Sequence, residues 1–192
     1  MTHISFLAET AHNLVRQNLP QGSIAIDATL GNGHDTVFLA QSVGDNGQVY
    51  GFDVQIQAFQ ATMQRLRQRD LLHRAMLIHA SHASMDEHIP QKFHGQIQAI
   101  MFNLGYLPGA DKSIITQTDS TLIAVNTACR LLATPGILTV LAYPGHAGGD
   151  EEALRLSEWC QQLDQHRFQA DIVLSQHDKP RAPRLFVIRK MA

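Results

Sequence analysis

Hydrophobic positions along the chain switch repeatedly between a helical period and short unbroken apolar runs. Ile4, Leu7, Ala11, Leu14, Val15 and Leu19 recur every three or four residues and predict a helix over 3–19 that ends before Pro20. Residues 23–27 read as a strand. Residues 34–43 read as a helix with Val37, Phe38 and Leu39 on its buried side, and Asp45-Asn46-Gly47 as a turn. A strand over 48–53, a helix over 55–69, a strand over 75–79, a helical turn at 85–89 and a strand over 97–102 follow. A helix over 119–133, with Asp119 or Ser120 as its N-cap, leads into a strand over 136–142. The helix over 151–163 opens on Asp150, Glu151 and Glu152, where acids favour a helix N-terminus. Strands over 168–174 and 185–189 close the chain.

Alternating strands and helices imply a mostly parallel sheet with helices on both faces, and two final strands without a helix between them imply an antiparallel C-terminal hairpin. The expected class is therefore α/β, a Rossmann-like seven-stranded sheet. A length of 192 residues suits one domain over 1–192. Residues 1–20 form an N-terminal helix whose apolar face suits a cap over the sheet or a homodimer contact.

Composition narrows the partners. At 44% hydrophobic the chain has material for one core. A formal charge of −2 gives no global attraction to nucleic acid, so no DNA partner is expected and an RNA partner needs a local patch. Cys129 and Cys160 fall in apolar helical patterns and read as buried reduced thiols, which suggests a cytoplasmic location. No signal-peptide pattern opens the chain, and Pro135-Gly136 interrupts the longest apolar stretch, so no membrane partner is expected.

The chemistry concentrates where the first strand enters Asp27-Ala28-Thr29-Leu30-Gly31-Asn32-Gly33-His34-Asp35-Thr36. Gly31 and Gly33 permit a sharp turn close to a ligand. Asp53 ends the second strand about twenty residues on, where an acid can bind both hydroxyls of a ribose. The third glycine of a dinucleotide fingerprint is absent. Asp27 and Asp35 would repel a pyrophosphate but suit the ammonium of a methionine moiety. With the closing hairpin, this favours S-adenosylmethionine (SAM) over a nicotinamide cofactor.

The fourth strand ends in Asn103-Leu104-Gly105-Tyr106-Leu107-Pro108, an edge where Asn103 can orient an acceptor nitrogen and Tyr106 can stack on a base. The fifth ends in Tyr143-Pro144-Gly145-His146, where His146 can take a proton from an attacking amine. His82, just past the third strand, and Ser81 fall near an adenine. His79, His82, His88 and His94 follow no ligand spacing and have no cysteine partners, so no metal is expected. Two basic groups stand out: Arg65, Arg67, Arg69 and Arg74, then Lys179, Arg181, Arg184, Arg189 and Lys190. A solvated charged face is their default reading, and phosphate contacts the sharper one.

These elements, together with Tyr50-Gly51-Phe52-Asp53-Val54-Gln55 and Ser81-His82, occur in one order that resembles the YtqB-like family of small class I methyltransferases, labelled rRNA methylases. The resemblance covers nearly the whole chain, departing at Leu30 and Ala110. It implies SAM as cofactor and methylation of the 5-aminomethyl group on the wobble uridine of tRNA, in the anticodon loop. It also implies roles: Asn32 and the His34–Thr36 turn at the methionine end, Asp53 and Gln55 at the ribose, Ser81 and His82 at the adenine, and Asn103 between cofactor and amine. Other readings stay open on the sequence alone: the same transfer to rRNA or a small amine, an NAD-dependent oxidoreductase, or a non-catalytic nucleoside- or RNA-binding module.

Overall fold

Strand parity divides the apolar side chains between two helical layers. The computed structural model describes residues 5–107, 109, 115–145, 148–175 and 181–191. In chain order the elements are α1 (Phe6–Asn18), β1 (Ile24–Asp27), α2 (His34–Val43), β2 (Gln48–Asp53), α3 (Ile56–Arg67), β3 (Ala75–His79), α4 (Met85–His88), β4 (Ile97–Asn103), α5 (Thr118–Leu131), β5 (Leu132–Ala142), α6 (Gly149–Gln161), β6 (Phe168–Leu174) and β7 (Arg184–Lys190). The strands form one seven-stranded sheet in the order β3-β2-β1-β4-β5-β7-β6. β1 to β5 run parallel, and β7 pairs antiparallel with both β5 and β6.

Alternate residues point to opposite faces. Ile26, Tyr50, Ile100, Phe102, Leu138 and Phe186 pack against Ala124, Val125 and Ala128 of α5 and Leu156 and Trp159 of α6. Ala25, Val49, Ala99, Met101, Ile137 and Val187 pack against Leu7, Ala11 and Val15 of α1, Phe38 and Leu39 of α2, and Leu66 of α3. Full burial of a side chain such as Phe52 or Leu39 contributes about 1.5–3 kcal/mol. The apolar face of α1 thus covers the sheet. Val37, Phe38 and Leu39 are all buried, as their spacing predicts.

Two local expectations need correction. β5 begins at Leu132, not at 136, because Ala133 to Gly136 form an excursion. Its register against β4 passes from Ile97↔Leu132 to Ala99↔Ile137, so Pro135 costs no ladder bond and its carbonyl accepts from Gln98 Nε2 at 2.7 Å. The N-cap of α5 is Gln117, since the helix is entered earlier; Ser120 Oγ donates back to the Gln117 carbonyl instead of capping. Several of the basic residues are engaged within the fold. Lys190 is buried and donates to the Cys129 and Leu132 carbonyls at 3.3 and 2.7 Å, satisfying the C-terminal end of α5. Arg189 pairs with Asp171, and Arg74 with Asp45 and the Ala40 carbonyl. Lys179 lies outside the described residues. Cys129 and Cys160 are buried thiols, raised by burial to about 11 and about 12.

His82 is 8% exposed, with its ring tilted against Phe102 at 5.6 Å. Burial lowers its pKa to about 4, against a partial offset from the Ala28 carbonyl. The folded chain therefore keeps His82 neutral where an unfolded chain, with a pKa near 6.5, takes up a proton. Its contribution is constant above pH about 6.5 and turns destabilising as pH falls toward 4. Denaturant unfolding at pH about 7 and about 4.5 should show wild type losing roughly 2–3 kcal/mol more than His82→Gln. Equal losses in the two proteins would contradict a buried neutral His82.

Candidate active site

The loops leaving β1, β2, β4 and β5 surround one cleft of about 580 Å³, within the size range of small-molecule sites. This is the carboxyl edge of the parallel strands, where α/β sheets hold their ligands.

The floor is set by Asp27, which is fully enclosed. It has the parity of Ala25, so its carboxylate points toward the α2 layer. Oδ1 accepts from the Thr29 N–H at 3.1 Å and Oδ2 from the Thr36 hydroxyl at 2.5 Å. Burial, then the neighbouring Asp35, hold its pKa well above the usual carboxylate range. Gly31 has φ +49° and its N–H donates to Asp53 Oδ2 at 3.0 Å. Gly33, at φ +77°, meets α3: a Cβ there would lie 2.8 Å from Thr62 Cα. The second glycine is thus required by helix approach as well as by the turn.

Asp53 Oδ1 accepts from the Gln55 N–H at 2.9 Å. Each carboxylate oxygen therefore holds one backbone donor and keeps a second lone pair. Arg65 Nε donates to the Asn32 carbonyl at 2.8 Å and ties α3 to the glycine loop. Asp35 Oδ1 is held at 2.7 Å by His12 Nε2, whose ring stacks on Phe38 at 4.0 Å. Partial desolvation and the Arg65 charge lower the pKa of His34. Burial raises the pKa of Tyr143, against a partial offset from Ser5 at the N-cap of α1.

On the opposite wall, the Asn103 N–H donates to Thr29 Oγ1 at 2.7 Å, so the end of β4 hangs on the glycine loop. Leu104 N–H reaches the Leu141 carbonyl at 2.9 Å. The Gly105 N–H donates to Thr116 Oγ1 at 3.0 Å, and the Thr116 N–H returns a bond to the Gly105 carbonyl. Asn103 and Tyr106 are both exposed at the cleft.

Of the residues singled out in the sequence, Gly31, Asn32, His34, Asp35, Asp53, Gln55, Ser81, His82, Asn103 and Tyr106 line the cleft together. Asp27, Gly33 and Thr36 are buried beside it, Asp27 and Thr36 bonded to each other and Gly33 under α3. His146 lies outside the described residues. His79 and His94 are used by the Val54 and Ile89 carbonyls, at 2.8 and 3.0 Å. Sequence reasoning gave no site role to Thr29, Thr116 or His12, read Glu152 only as an acid at a helix start, and read Arg65 only as one of a basic group. Only Thr29 carries a local signal, two residues after an aspartate that bonds its N–H.

The family model described as "Putative rRNA methylase" matches residues 49–189. An Arabidopsis thaliana protein named tRNA (mnm(5)s(2)U34)-methyltransferase, chloroplastic, is 39% identical over 155 residues, 75% of this chain and 55% of that protein. The chain thus spans about half the length of this relative. A crystal structure of a "putative rRNA-methylase" from Clostridium thermocellum superposes with TM-score 0.91 at 37% identity, covering 100% of both chains. A "putative methyltransferase" from Streptococcus mutans, solved in complex with SAH, superposes with TM-score 0.86 at 35% identity over 98% of this chain and 100% of that one. With a family match across most of its length and full-length structural relatives at this identity, the chain belongs to the rRNA methylase family.

Proposed function

We propose that this chain is a SAM-dependent methyltransferase acting on RNA, and that its acceptor is the primary amine of 5-aminomethyluridine at the wobble position of tRNA, in the anticodon loop. The oxidoreductase and pure-binding readings lose their support with the family membership. The SAH complex of the Streptococcus mutans relative supports the cofactor, and the name of the plant relative supports the acceptor. One observation in the chain itself carries the reading. An exposed amide, Asn103, and an exposed aromatic ring, Tyr106, share a cleft with a carboxylate whose outer lone pairs suit a ribose.

The residues fit the cofactor. Asp53 would take the two ribose hydroxyls on lone pairs that Gly31 and Gln55 leave unused. Asp35, braced by His12, would face the methionine ammonium, and Ser81 and His82 would border the adenine. When bound, SAM supplies a methyl carbon made electrophilic by its sulfonium. The side-chain oxygen of Asn103 accepts a hydrogen bond from the acceptor amine and directs its lone pair inward. Tyr106, 40% exposed, stacks on a uracil splayed from its loop. The amine must arrive neutral, because an ammonium has no lone pair. The main contribution of the chain is alignment.

Incubation with SAM and tRNA lacking this modification, read by nucleoside mass spectrometry, should convert 5-aminomethyluridine to its N-methyl form. Methylation of rRNA or a small amine, with tRNA unchanged, would overturn the acceptor. Asn103→Ala should lower kcat by about tenfold to a hundredfold. SAH affinity measured by calorimetry should change less than about twofold, since Asn103 acts on the amine and not on the cofactor. A fully active Asn103→Ala enzyme would remove Asn103 from the mechanism.

A further inference from the structure

Glu152 is a carboxylate at 2% exposure, in the first turn of α6 and outside the expected site. Taking a charge this far from water is costly unless hydrogen bonds replace its hydration. Two threonine hydroxyls do so: Thr121 of α5 donates to Oε1 at 2.7 Å and Thr116 to Oε2 at 3.0 Å. The second bond reaches the cleft. Thr116 Oγ1 also accepts the Gly105 N–H, and the Thr116 N–H takes the Gly105 carbonyl. Both peptide groups of Gly105 are therefore gripped by one residue whose hydroxyl points at Glu152. Gly105 joins Asn103-Leu104 to Tyr106, and its φ of +118° is a conformation that other residues rarely adopt.

We propose that Glu152 is the positioning residue for the acceptor side of the site, acting through Thr116 on the Gly105 turn and so on Asn103 and Tyr106. It touches neither cofactor nor acceptor. Its carboxylate orients the Thr116 hydroxyl so that the oxygen's lone pair faces the Gly105 N–H. An amide in its place has one oxygen for the two threonine hydroxyls that now donate to two, so the arrangement that fixes Thr116 is lost and the turn loosens. The α6 position also links this turn to the loop after β5, because the Glu152 N–H donates to the Gly148 carbonyl at 2.9 Å. The role in catalysis rests on the function proposed above, whereas the mechanical role does not.

Two measurements separate them. Hydrogen exchange of the peptide covering 103–107, followed by mass spectrometry, should speed up by about tenfold or more in Glu152→Gln and in Thr116→Val, and stay at the wild-type rate in Thr116→Ser. In steady-state methyl transfer, the first two variants should lose about tenfold to a hundredfold in kcat, with SAH affinity within about twofold of wild type. Thr116→Ser should retain the wild-type rate. Unchanged exchange in Glu152→Gln would overturn the proposal. So would a loss of SAH affinity as large as the loss of kcat, which marks a general structural role. Faster exchange in the variants, with no tRNA methylation by wild type, would keep the positioning role and sink the tRNA reading instead.

Discussion

The enclosed carboxylate of Asp27 is the constraint on which the site depends. It sits at the end of the interior strand β1, accepts the Thr29 N–H and the Thr36 hydroxyl, and so fixes where the glycine loop leaves the sheet and where α2 begins. Thr29 passes the constraint on, since its hydroxyl receives the Asn103 N–H from the neighbouring strand. A buried acid raised well above its usual pKa is an expensive anchor, and both of its hydrogen bonds offset that cost. The two walls of the cleft are thereby set relative to each other by one buried side chain.

The same device recurs around the cleft. Asp53 holds the Gly31 and Gln55 N–H groups, joining the ends of β1 and β2. Glu152 holds Thr116 and Thr121, joining α5, α6 and the turn after β4. Loops at the edge of a sheet bury little apolar surface, so they need polar acceptors to keep their backbone donors satisfied and their shape fixed. Carboxylates suit this task because each offers several lone pairs at one point. Of the three, only Asp53 lines the cleft and keeps lone pairs turned toward a ligand.

Much of this architecture was legible in the chain. The runs at 48–53, 75–79 and 168–174 coincide with β2, β3 and β6, and the helix over 34–43 with α2, which Gly33 and Gly44 bound at its two caps. The place of Asp53 at the cleft edge was readable from its distance to the glycine loop. What stayed hidden depends on contacts between distant segments. Glu152 looks like any acid at a helix start, and nothing local says that Thr116 and Thr121 will enclose it. Lys190 looks like a surface base until α5 presents its terminal carbonyls. Asp27 reads as an acid at a strand end, and nothing local says that Thr36 of α2 will bond to it. Pro135 reads as a strand breaker, and only the irregular β4–β5 register makes room for it.

Calorimetric titration of SAH into the wild-type chain and into Asp53→Ala tests most directly whether the cleft is an S-adenosyl site built around that carboxylate. Wild type should bind one SAH per chain, and the variant about tenfold to a hundredfold more weakly, the worth of charged hydrogen bonds to a ribose. Absence of binding to wild type, or equal affinity in the two proteins, would contradict it.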